Sequence, residues 1–439
     1  MLNLEEQIKH FAKLTPEKPA VICEGRTLSY SFLCQSIQEK ARQLKEEGLL
    51  AGKSYVFTTT QDENFIVTYC AVHLCKAVAV PLESSTPIER QELIRGEVKD
   101  YSFPPYTSDV LYTTGTTGKA KGVIVSSKAW NANAENLTDR LGFSSELLFI
   151  ICGPLNHLGS LSKIYPTLML GGTLYIMENL KDLNAFFSIF ELPFTKFATF
   201  LVPSSIRMLL QIASKELARV NKKIDFIETG AAAISQNDME LLCQILPNSR
   251  LFNTYASTET GIVCSYEFSR YGCTSGLLGK PMKHSSVRID EDGRVICSGE
   301  TIMSDYVNAP ELTAQVLKGG EIYTSDIGSL DKDGRLHLQG RKDDVINVGG
   351  YKVNPSEVED AVQAFEGIQD CICIPAKHIV LGTVPKLLYV PKKGQTVKPK
   401  DITDFLKGRI ENYKIPLLYE FVDAIKRTYN GKLDRKFYI

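Results

Sequence analysis

The 439-residue sequence lacks a charge excess, a long apolar run and a recognisable export signal. Its 50 basic and 51 acidic residues give a formal net charge of −1, so the basic surface typical of nucleic-acid-binding proteins is missing. The apolar stretches are far shorter than the span of about 20 residues that crosses a bilayer. The N-terminus, MLNLEEQIK, mixes charges and has no apolar signal core. We therefore expect a cytoplasmic protein with no membrane span and no nucleic-acid partner.

Cysteine and histidine patterns that hold metals are also missing. The eleven cysteines include no Cys-x-x-Cys pair, and no two of the six histidines have metal-ligand spacing. Cys371 and Cys373 alternate within an apolar segment, which predicts a strand with both thiols on one face. We expect reduced, buried thiols.

Strand and helix patterns alternate through most of the chain, which predicts an α/β fold with largely parallel sheets. Leu4, Ile8 and Phe11 have helical spacing, for example, and a strand-like AVIC segment follows at 20–23. From about residue 277, short strands and Asp/Gly turns dominate, which indicates a β-rich section. The charged segment GRKDD at 340–344 then precedes a new α/β pattern, and we place a domain boundary there.

The segment 112–123, YTTGTTGKAKGV, is the most unusual stretch of the sequence. Glycines permit close backbone approach, while hydroxyl, N–H and lysine groups suit an oligophosphate. The spacing differs from that of the common kinase and GTPase loop, which needs Gly-Lys-Ser/Thr at its end. The same composition also fits a flexible surface loop.

Four polar clusters follow in the sequence. NTYASTETG at 253–261 places a tyrosine, hydroxyls and a carboxylate on a predicted loop after a strand, and YTSD at 323–326 places an acid after a short strand. GRKDD stands at the domain boundary and NGKLDR occupies 430–435. In α/β sheets ligands bind at the carboxyl ends of strands, so the first cluster is a candidate site.

Together these segments resemble the adenylate-forming superfamily, which includes acyl- and aryl-CoA synthetases, peptide-synthetase adenylation domains and firefly luciferase. Within this superfamily, the sequence pattern is closest to that of an acyl- or aryl-acid CoA ligase. The family's phosphate loop, YT[ST]GTTGxPKG, is matched with Ala120 in place of the proline. The other matches are YASTE at 255–259, YTSD at 323–326 with one residue fewer than the family motif, the 340–357 segment, and 427–435 with Lys426 where the proline stands. The resemblance runs nearly end to end.

The resemblance implies a large N-terminal adenylation domain at 1–340, with parallel-rich sheets, flanking helices and a β-rich section. It also implies a hinge at 341–344 around Asp343 and a small, mobile α+β domain at 345–439. The implied ATP-binding residues are Thr113, Thr114, Gly115, Thr116, Thr117, Gly118, Lys121, Gly230, Ala231, Ala232, Asn253, Tyr255, Asp326 and Arg341. The implied catalytic residues are Lys432, Glu259, Thr258 and His157, with Glu259 also holding Mg²⁺.

By this resemblance, ATP activates a carboxylic acid to an acyl adenylate, and the acyl group then passes to a thiol. Lys432 would bridge the carboxylate and the α-phosphate, because a mobile ammonium group suits a developing negative charge. The small domain would then rotate about Asp343 and withdraw Lys432. Singly, each of these residues also fits an ordinary role, such as a turn lysine or a solvated loop acid.

His157 lies in PLNHLG, which resembles a CoA-ligase motif beside the acyl site, although a structural histidine is the alternative. Amino-acid-activating relatives carry an aspartate there, so we expect a small acid without an α-amino group. Gly159, Leu161, Ala256, Gly261 and Ile262 are further expected to line the acyl pocket. Three hypotheses stay open: an acid–CoA ligase, an acyl-AMP ligase that loads a carrier protein, and an inactive nucleotide-binding regulatory protein.

Overall fold

The computed structural model describes residues 3–114, 120–348, 351–378, 382–428 and 431–439. Its helices are α1 (Leu4–Leu14), α2 (Tyr30–Glu46), α3 (Glu63–Leu74), α4 (Ile88–Lys99), α5 (Ser127–Leu141), α6 (Leu158–Met169), α7 (Leu183–Ser188), α8 (Pro203–Ile212), α9 (Ser214–Val220), α10 (Gln236–Ile245), α11 (Phe268–Tyr271), α12 (Pro310–Val316), α13 (Pro355–Gln363) and α14 (Pro399–Leu406).

The strands fall into four sheets. In chain order they are β1 (Pro19–Cys23), β2 (Arg26–Ser29), β3 (Ser54–Thr58), β4 (Val78–Leu82), β5 (Thr107–Thr114), β6 (Ala120–Ser126), β7 (Leu147–Ile151), β8 (Thr173–Ile176), β9 (Lys196–Leu201), β10 (Ile224–Gly230), β11 (Arg250–Ser257), β12 (Gly261–Glu267), β13 (Leu277–Gly279), β14 (Ser285–Ile289), β15 (Arg294–Gly299), β16 (Asp305–Tyr306), β17 (Leu317–Lys318), β18 (Glu321–Leu330), β19 (Leu336–Arg341), β20 (Ile346–Val348), β21 (Tyr351–Val353), β22 (Ile368–His378), β23 (Gly382–Pro391) and β24 (Leu418–Phe421).

The largest sheet has eight strands in the order β12-β11-β10-β9-β7-β8-β1-β2. Its inner strands pair in parallel, and only the two outer pairs, β1 with β2 and β11 with β12, are antiparallel. A second sheet, β16-β6-β5-β4-β3, is parallel at β3, β4 and β5 and antiparallel at β5, β6 and β16. The predicted α/β fold with parallel-rich sheets is confirmed.

The remaining sheets account for the short strands and turns predicted after residue 277. β13, β19, β18, β15 and β14, with β17 at one side, form an antiparallel sheet, which confirms the β-rich section. β20 to β24 form the last sheet, against which α13 packs. Cys371 and Cys373 lie buried on one face of β22, as predicted.

Two expected boundaries are wrong. β11 continues through Tyr255 to Ser257, so the tyrosine lies within a strand rather than on a loop. β18 is ten residues long and contains Asp326, which was expected to follow a short strand. In both cases a neighbouring antiparallel strand supplies backbone partners that extend the strand through polar residues.

The hydrophobic core is divided along the chain. Four clusters of buried apolar residues lie between residues 4 and 338, and two others lie between residues 346 and 438. The division at 341–344 and the mobility of the second part stay predictions. None of the described helices is both long enough and apolar enough to cross a membrane.

A buried charged network joins α1, α3 and β5. His73 Nδ1 lies 3.1 Å from Glu5 Oε1, and His73 Nε2 lies 3.5 Å from Asp109 Oδ1. Trp130 Nε1 donates to Asp109 Oδ2 over 2.6 Å. Burial lowers the pKa of His73, but Asp109 and Glu5 outweigh it and raise the pKa to about 10.

We expect this network to make stability depend on pH. An unfolded histidine titrates near pH 6.5, so the stabilising contribution is present below that pH and is lost as pH rises towards about 10. Denaturant titrations followed by the fluorescence of Trp130 should show this loss in the wild type and not in His73→Gln. The exposed His10→Gln is the control, and parallel curves for all three proteins would contradict the assignment.

Candidate active site

A tyrosine, an aspartate and an arginine form one side of the cleft. Tyr255 Oη donates to Asp326 Oδ2 over 2.5 Å, and Arg341 Nε lies 3.4 Å from Asp326 Oδ1. Asp326 and Arg341 are register partners across β18 and β19, so the sheet itself places them together. Burial and the nearby Asp326 carboxylate raise the pKa of Tyr255. The structure thus unites three residues that are distant in sequence.

The turn after β11 carries Thr258 and Glu259. It is held by Ser257 and Thr260, since the backbone N–H of each donates to the side-chain oxygen of the other. Tyr306 Oη donates to Glu259 Oε1 over 2.9 Å, and Lys121 Nζ lies 5.6 Å from the centroid of the Tyr306 ring. Lys121 and Glu259 therefore contact opposite parts of one tyrosine.

The predicted phosphate loop is only partly described. Thr113 on β5 pairs with Lys121 on β6, and Thr114 pairs with Ala120. Gly115, Thr116, Thr117 and Gly118 lie outside the described residues, as do the side chains of Thr114 and Asp343. What the structure places is the base of the hairpin, with Lys121 directed towards Tyr306.

Gly230 ends β10 where the backbone of β11 comes close. A Cβ at Gly230 would lie 2.7 Å from the Thr254 carbonyl oxygen, so only glycine permits this approach. Ala231 then adopts a left-handed φ of 67°, and Ala232 is half-buried. Asn253 is buried and donates to the Leu277 carbonyl over 3.5 Å, so this side chain is used inside the protein.

Lys432 lies at the tip of a short hairpin near the C-terminus. Thr428 N donates to the Lys432 carbonyl over 2.8 Å. The backbones of Arg427 and Leu433 form an isolated antiparallel β-bridge. Gly431 has a φ of 75° and is tightly packed, because a Cβ there would lie 2.9 Å from Ser204 Oγ. The hairpin therefore lies against the start of α8, in the larger part of the molecule.

Charged side chains fasten this hairpin. Arg427 Nη2 donates to both carboxylate oxygens of Asp370, over 2.9 and 2.7 Å. Arg207 of α8 reaches the same Asp370 over 3.1 Å and also donates to Asp238. Asp370 thus joins residues on both sides of the predicted hinge.

The position of the hairpin places Lys432 within the electrostatic influence of Arg341, Asp326 and Glu259. Its side chain is accessible to solvent within the cleft, yet protein groups surround it. This enclosure and the charge of Arg341 lower the pKa of Lys432, while Asp326 and Glu259 raise it in part. Lys432 is therefore near enough to Asp326, Glu259 and Arg341, each predicted from a separate motif, to be affected by their charges.

His157 faces the same region from the N-terminus of α6. Burial, and then the charge of Lys432, lower its pKa to about 4, so the imidazole is neutral at physiological pH. Its backbone carbonyl accepts from Leu161 N over 2.8 Å, which begins the helix. Leu161 and Ile262 are fully buried core residues, so their predicted role as pocket lining is shared with packing.

The carboxylates near the candidate site determine how a magnesium ion could be held. Among the described residues, no three His, Cys, Asp or Glu side chains are grouped so that they could hold a metal ion. Glu259 is a single carboxylate with one oxygen bonded to Tyr306. Mg²⁺ is commonly held by one or two carboxylates together with substrate phosphates, so Glu259 fits a magnesium ion that arrives with a nucleotide.

Several residues near the candidate site belong to no motif and were not predicted from the sequence. Phe200 packs against Gly159 and Gly230, the pair of Lys163 and Glu228 lies beside the Phe200 ring, and Asp370 anchors the hairpin. In the sequence, Lys163 stands out as a charged residue in the apolar pattern of α6, and Glu228 as a charged residue in an apolar strand. Neither position indicates a function until the fold shows that the two side chains form a pair.

Comparisons with known proteins identify the family. A family model described as AMP-binding enzyme matches residues 107–307, and one described as AMP-binding enzyme C-terminal domain matches residues 357–432. The chain is 26% identical to a 2-succinylbenzoate–CoA ligase of Geobacillus sp. (strain WCH70), over 97% of this chain and 94% of the relative. It is also 26% identical to the fatty acid–[acyl-carrier-protein] ligase ScoC of Streptomyces coeruleorubidus, over 99% and 95%.

A solved structure shares the fold over nearly the whole chain. O-succinylbenzoate coenzyme A synthetase from Bacillus subtilis, in complex with ATP and magnesium ion, superposes with a TM-score of 0.84 at 23% identity and covers 98% of each chain. Fold and family models together define the class: the chain belongs to the adenylate-forming AMP-binding enzymes. Within that class it is an AMP-forming acid–thiol ligase.

A partly buried carboxyl group lies where the two parts of the chain meet. Asp360 on α13 accepts from Ser275 Oγ, and burial raises the pKa of Asp360 to about 7 from its ordinary 3.8. Ser275 and Arg207 oppose that rise, whereas Glu359 and Asp238 add to it. The docked arrangement therefore keeps a proton that a hydrated carboxyl group would release.

If the two parts of the chain separate as the resemblance predicts, their docking should weaken as pH rises from about 4 to about 7, because the Asp360 carboxyl group would then be enclosed with its charge. Asp360→Asn should raise the docked population at pH 8 and converge with the wild type near pH 4. Distances between spin labels on the two domains measure this. Asp404→Asn, which removes a contact to Lys407 on the small-domain surface, is the control, and equal populations at pH 8 would refute the role.

Proposed function

We propose that this enzyme converts a small carboxylic acid without an α-amino group into its CoA thioester, through an acyl adenylate formed from ATP. The observation that carries the proposal is the convergence of Lys432 with Asp326, Glu259 and Arg341, beside a neutral His157. A cleft with positive groups set beside acidic ones suits a triphosphate substrate and a transition state that gains negative charge.

In the first half-reaction, a carboxylate oxygen of the acid attacks the α-phosphorus of ATP. The bond between the α-phosphorus and the oxygen bridging to the β-phosphorus breaks, and pyrophosphate leaves with both electrons. Lys432 holds the carboxylate and the α-phosphate together, while Thr258 contacts the α-phosphate. Because no covalent enzyme intermediate is needed, positioning and charge neutralisation supply the rate enhancement.

The nucleotide is held by residues from three of the sheets. Tyr255 stacks on adenine against the Gly230–Ala232 backbone, with Asn253 in the same strand. Asp326 accepts hydrogen bonds from both ribose hydroxyls. Arg341, which lies beside Asp326, also contributes to binding at the ribose. The 113–118 loop, with Lys121, holds the β- and γ-phosphates. Glu259 would hold Mg²⁺, which when bound neutralises phosphate charge.

In the second half-reaction, the thiol sulfur attacks the acyl carbon, a C–S bond forms, AMP leaves and the thiol proton is released. The small domain rotates about Asp343 between the two steps, which removes Lys432 from the cleft. The contacts of Asp370 and Asp360 are the ones that this rotation must break.

The residues flanking His157 support an acid without an α-amino group. Asn156 and Leu158 carry no charge, and a neutral imidazole offers no counter-ion for an ammonium group. A carrier-protein thiol is the second candidate acceptor, because a carrier-protein ligase is as similar to this chain as a CoA ligase is.

Replacing Lys432 should separate the two half-reactions. We expect Lys432→Ala to reduce acid-dependent ATP–pyrophosphate exchange by about 100-fold or more, a loss typical of removing one stabilising charge. Thioester formation from a preformed acyl adenylate should fall much less, since Lys432 is withdrawn for that step.

The matched control is Lys436→Ala, which removes an exposed lysine four residues further along. It should leave both half-reactions close to wild type. An equal loss in both half-reactions for Lys432→Ala would disprove the assigned role.

The acceptor can be determined with the wild-type enzyme and one accepted acid. We expect AMP release to be accelerated by CoA and not by a phosphopantetheine-bearing carrier protein at equal concentration. Chromatography of the thioester product gives the readout. Acceleration by the carrier protein alone would select the acyl-AMP ligase instead. Absence of pyrophosphate release with every acid tried would favour the inactive nucleotide-binding regulatory protein.

A further inference from the structure

Behind the cleft, a lysine and a glutamate form an ion pair sealed from solvent. Lys163 Nζ on α6 lies 2.8 Å from Glu228 Oε2 on β10, and the two side chains are 1% and 0% exposed. Burial lowers the pKa of Lys163, and Glu228 offsets this in part. A buried pair of this kind is weak evidence for stability, because desolvation of two charges consumes most of their attraction.

The pair has unused hydrogen-bonding capacity. Glu228 Oε1 is buried and has no hydrogen-bond partner among the residues that the structure describes. An ammonium group carries three donors, and Glu228 engages only part of that set. A buried unpaired acceptor costs free energy, so packing alone does not explain why this oxygen is there.

The ring of Phe200 links the pair to two glycines near the candidate site. Lys163 Nζ is 5.3 Å from the centroid of the Phe200 ring. That ring fills the gap between two glycines, since a Cβ at Gly159 would lie 2.9 Å from Phe200 Cε1 and one at Gly230 3.6 Å from Phe200 Cε2. Gly159 follows His157 by two residues, and Gly230 ends the strand that carries Glu228.

We place the acyl group of the proposed reaction along this line of contacts. In that placement the reacting carboxylate lies near Lys432 and His157, the Phe200 ring and the two glycines come next, and the far end of the acid approaches the Lys163–Glu228 pair. An alkyl chain reaching the pair would leave Glu228 Oε1 unpaired, and a second carboxylate would add negative charge beside it. A hydroxyl group can accept from Lys163 and donate to Glu228 at once.

We propose that the Lys163–Glu228 pair selects a short acid whose far end carries a hydroxyl group. This inference rests on the proposed function and specifies its substrate class. Sites built to hydrogen-bond a hydroxyl group discriminate strongly against analogues that lack it, because the buried polar groups of the site are then left unpaired.

The test compares matched acids in ATP–pyrophosphate exchange. The pairs are 4-hydroxybutanoate with pentanoate, 5-hydroxypentanoate with hexanoate, and 4-hydroxybenzoate with 4-methylbenzoate, where a methyl group replaces the hydroxyl. For at least one pair, we expect kcat/KM in the wild type to favour the hydroxy acid by about 100-fold or more.

The variant K163M/E228M replaces both charges with apolar side chains, which avoids leaving one charge buried and unpaired. It should lose the hydroxy preference and favour the methyl acid, while ATP binding and thermal stability stay close to wild type. The single variant E228Q keeps the shape and a hydrogen-bonding end, so it should keep part of the preference.

The outcomes separate the two proposals. Exchange with the methyl acids at equal or higher kcat/KM in the wild type, or the same ratio in K163M/E228M, overturns the role of the pair and leaves the ligase intact. Absence of exchange with every acid in the wild type overturns the proposed function itself, and the role of the pair falls with it.

Discussion

The active-site arrangement depends on one carboxylate, Asp370, which receives guanidinium groups from both parts of the chain. Arg427 binds it through two contacts at the base of the Lys432 hairpin, and Arg207 binds it from α8. All three side chains are at least three-quarters buried, so the contacts are only weakly screened by salt. Because Arg207 is itself fixed by Asp238, the hairpin has a defined position on α8 and Lys432 a defined position in the cleft.

Two consequences follow for the charges of the cleft. Arg341 makes the position of Lys432 less favourable to a second positive charge, and Asp326 and Glu259 compensate for only part of that effect. A polyanionic nucleotide would supply the missing negative charge, so binding of the nucleotide and docking of the hairpin should favour each other. In the proposed reaction, loss of pyrophosphate removes part of that charge, which would favour the departure of the hairpin that we propose after adenylation.

Short contiguous motifs carry the residues that we expect to hold the nucleotide, so the sequence alone points to them. Tyr255, Glu259, Asp326 and Arg341 each stand in a recognisable local pattern, and the fold brings them together. The strand boundaries around Tyr255 and Asp326 were wrong, since polar residues that line a cleft look like loop residues. Only the pairing of β11 with β12 and of β18 with β19 shows that the strands continue.

The residues that we propose for acid selection could not be predicted in the same way, because only tertiary structure brings them together. Lys163 is one polar residue in a helix whose other positions are mostly apolar, and Glu228 is one acid in a buried strand; neither belongs to a motif. Their contact depends on how α6 lies across β10, a packing relation that no local pattern encodes. The residues proposed for activation therefore lie in segments that family models detect, whereas the residues proposed for the choice of acid form a long-range pair. For the same reason, relatives with similar motifs can activate different acids.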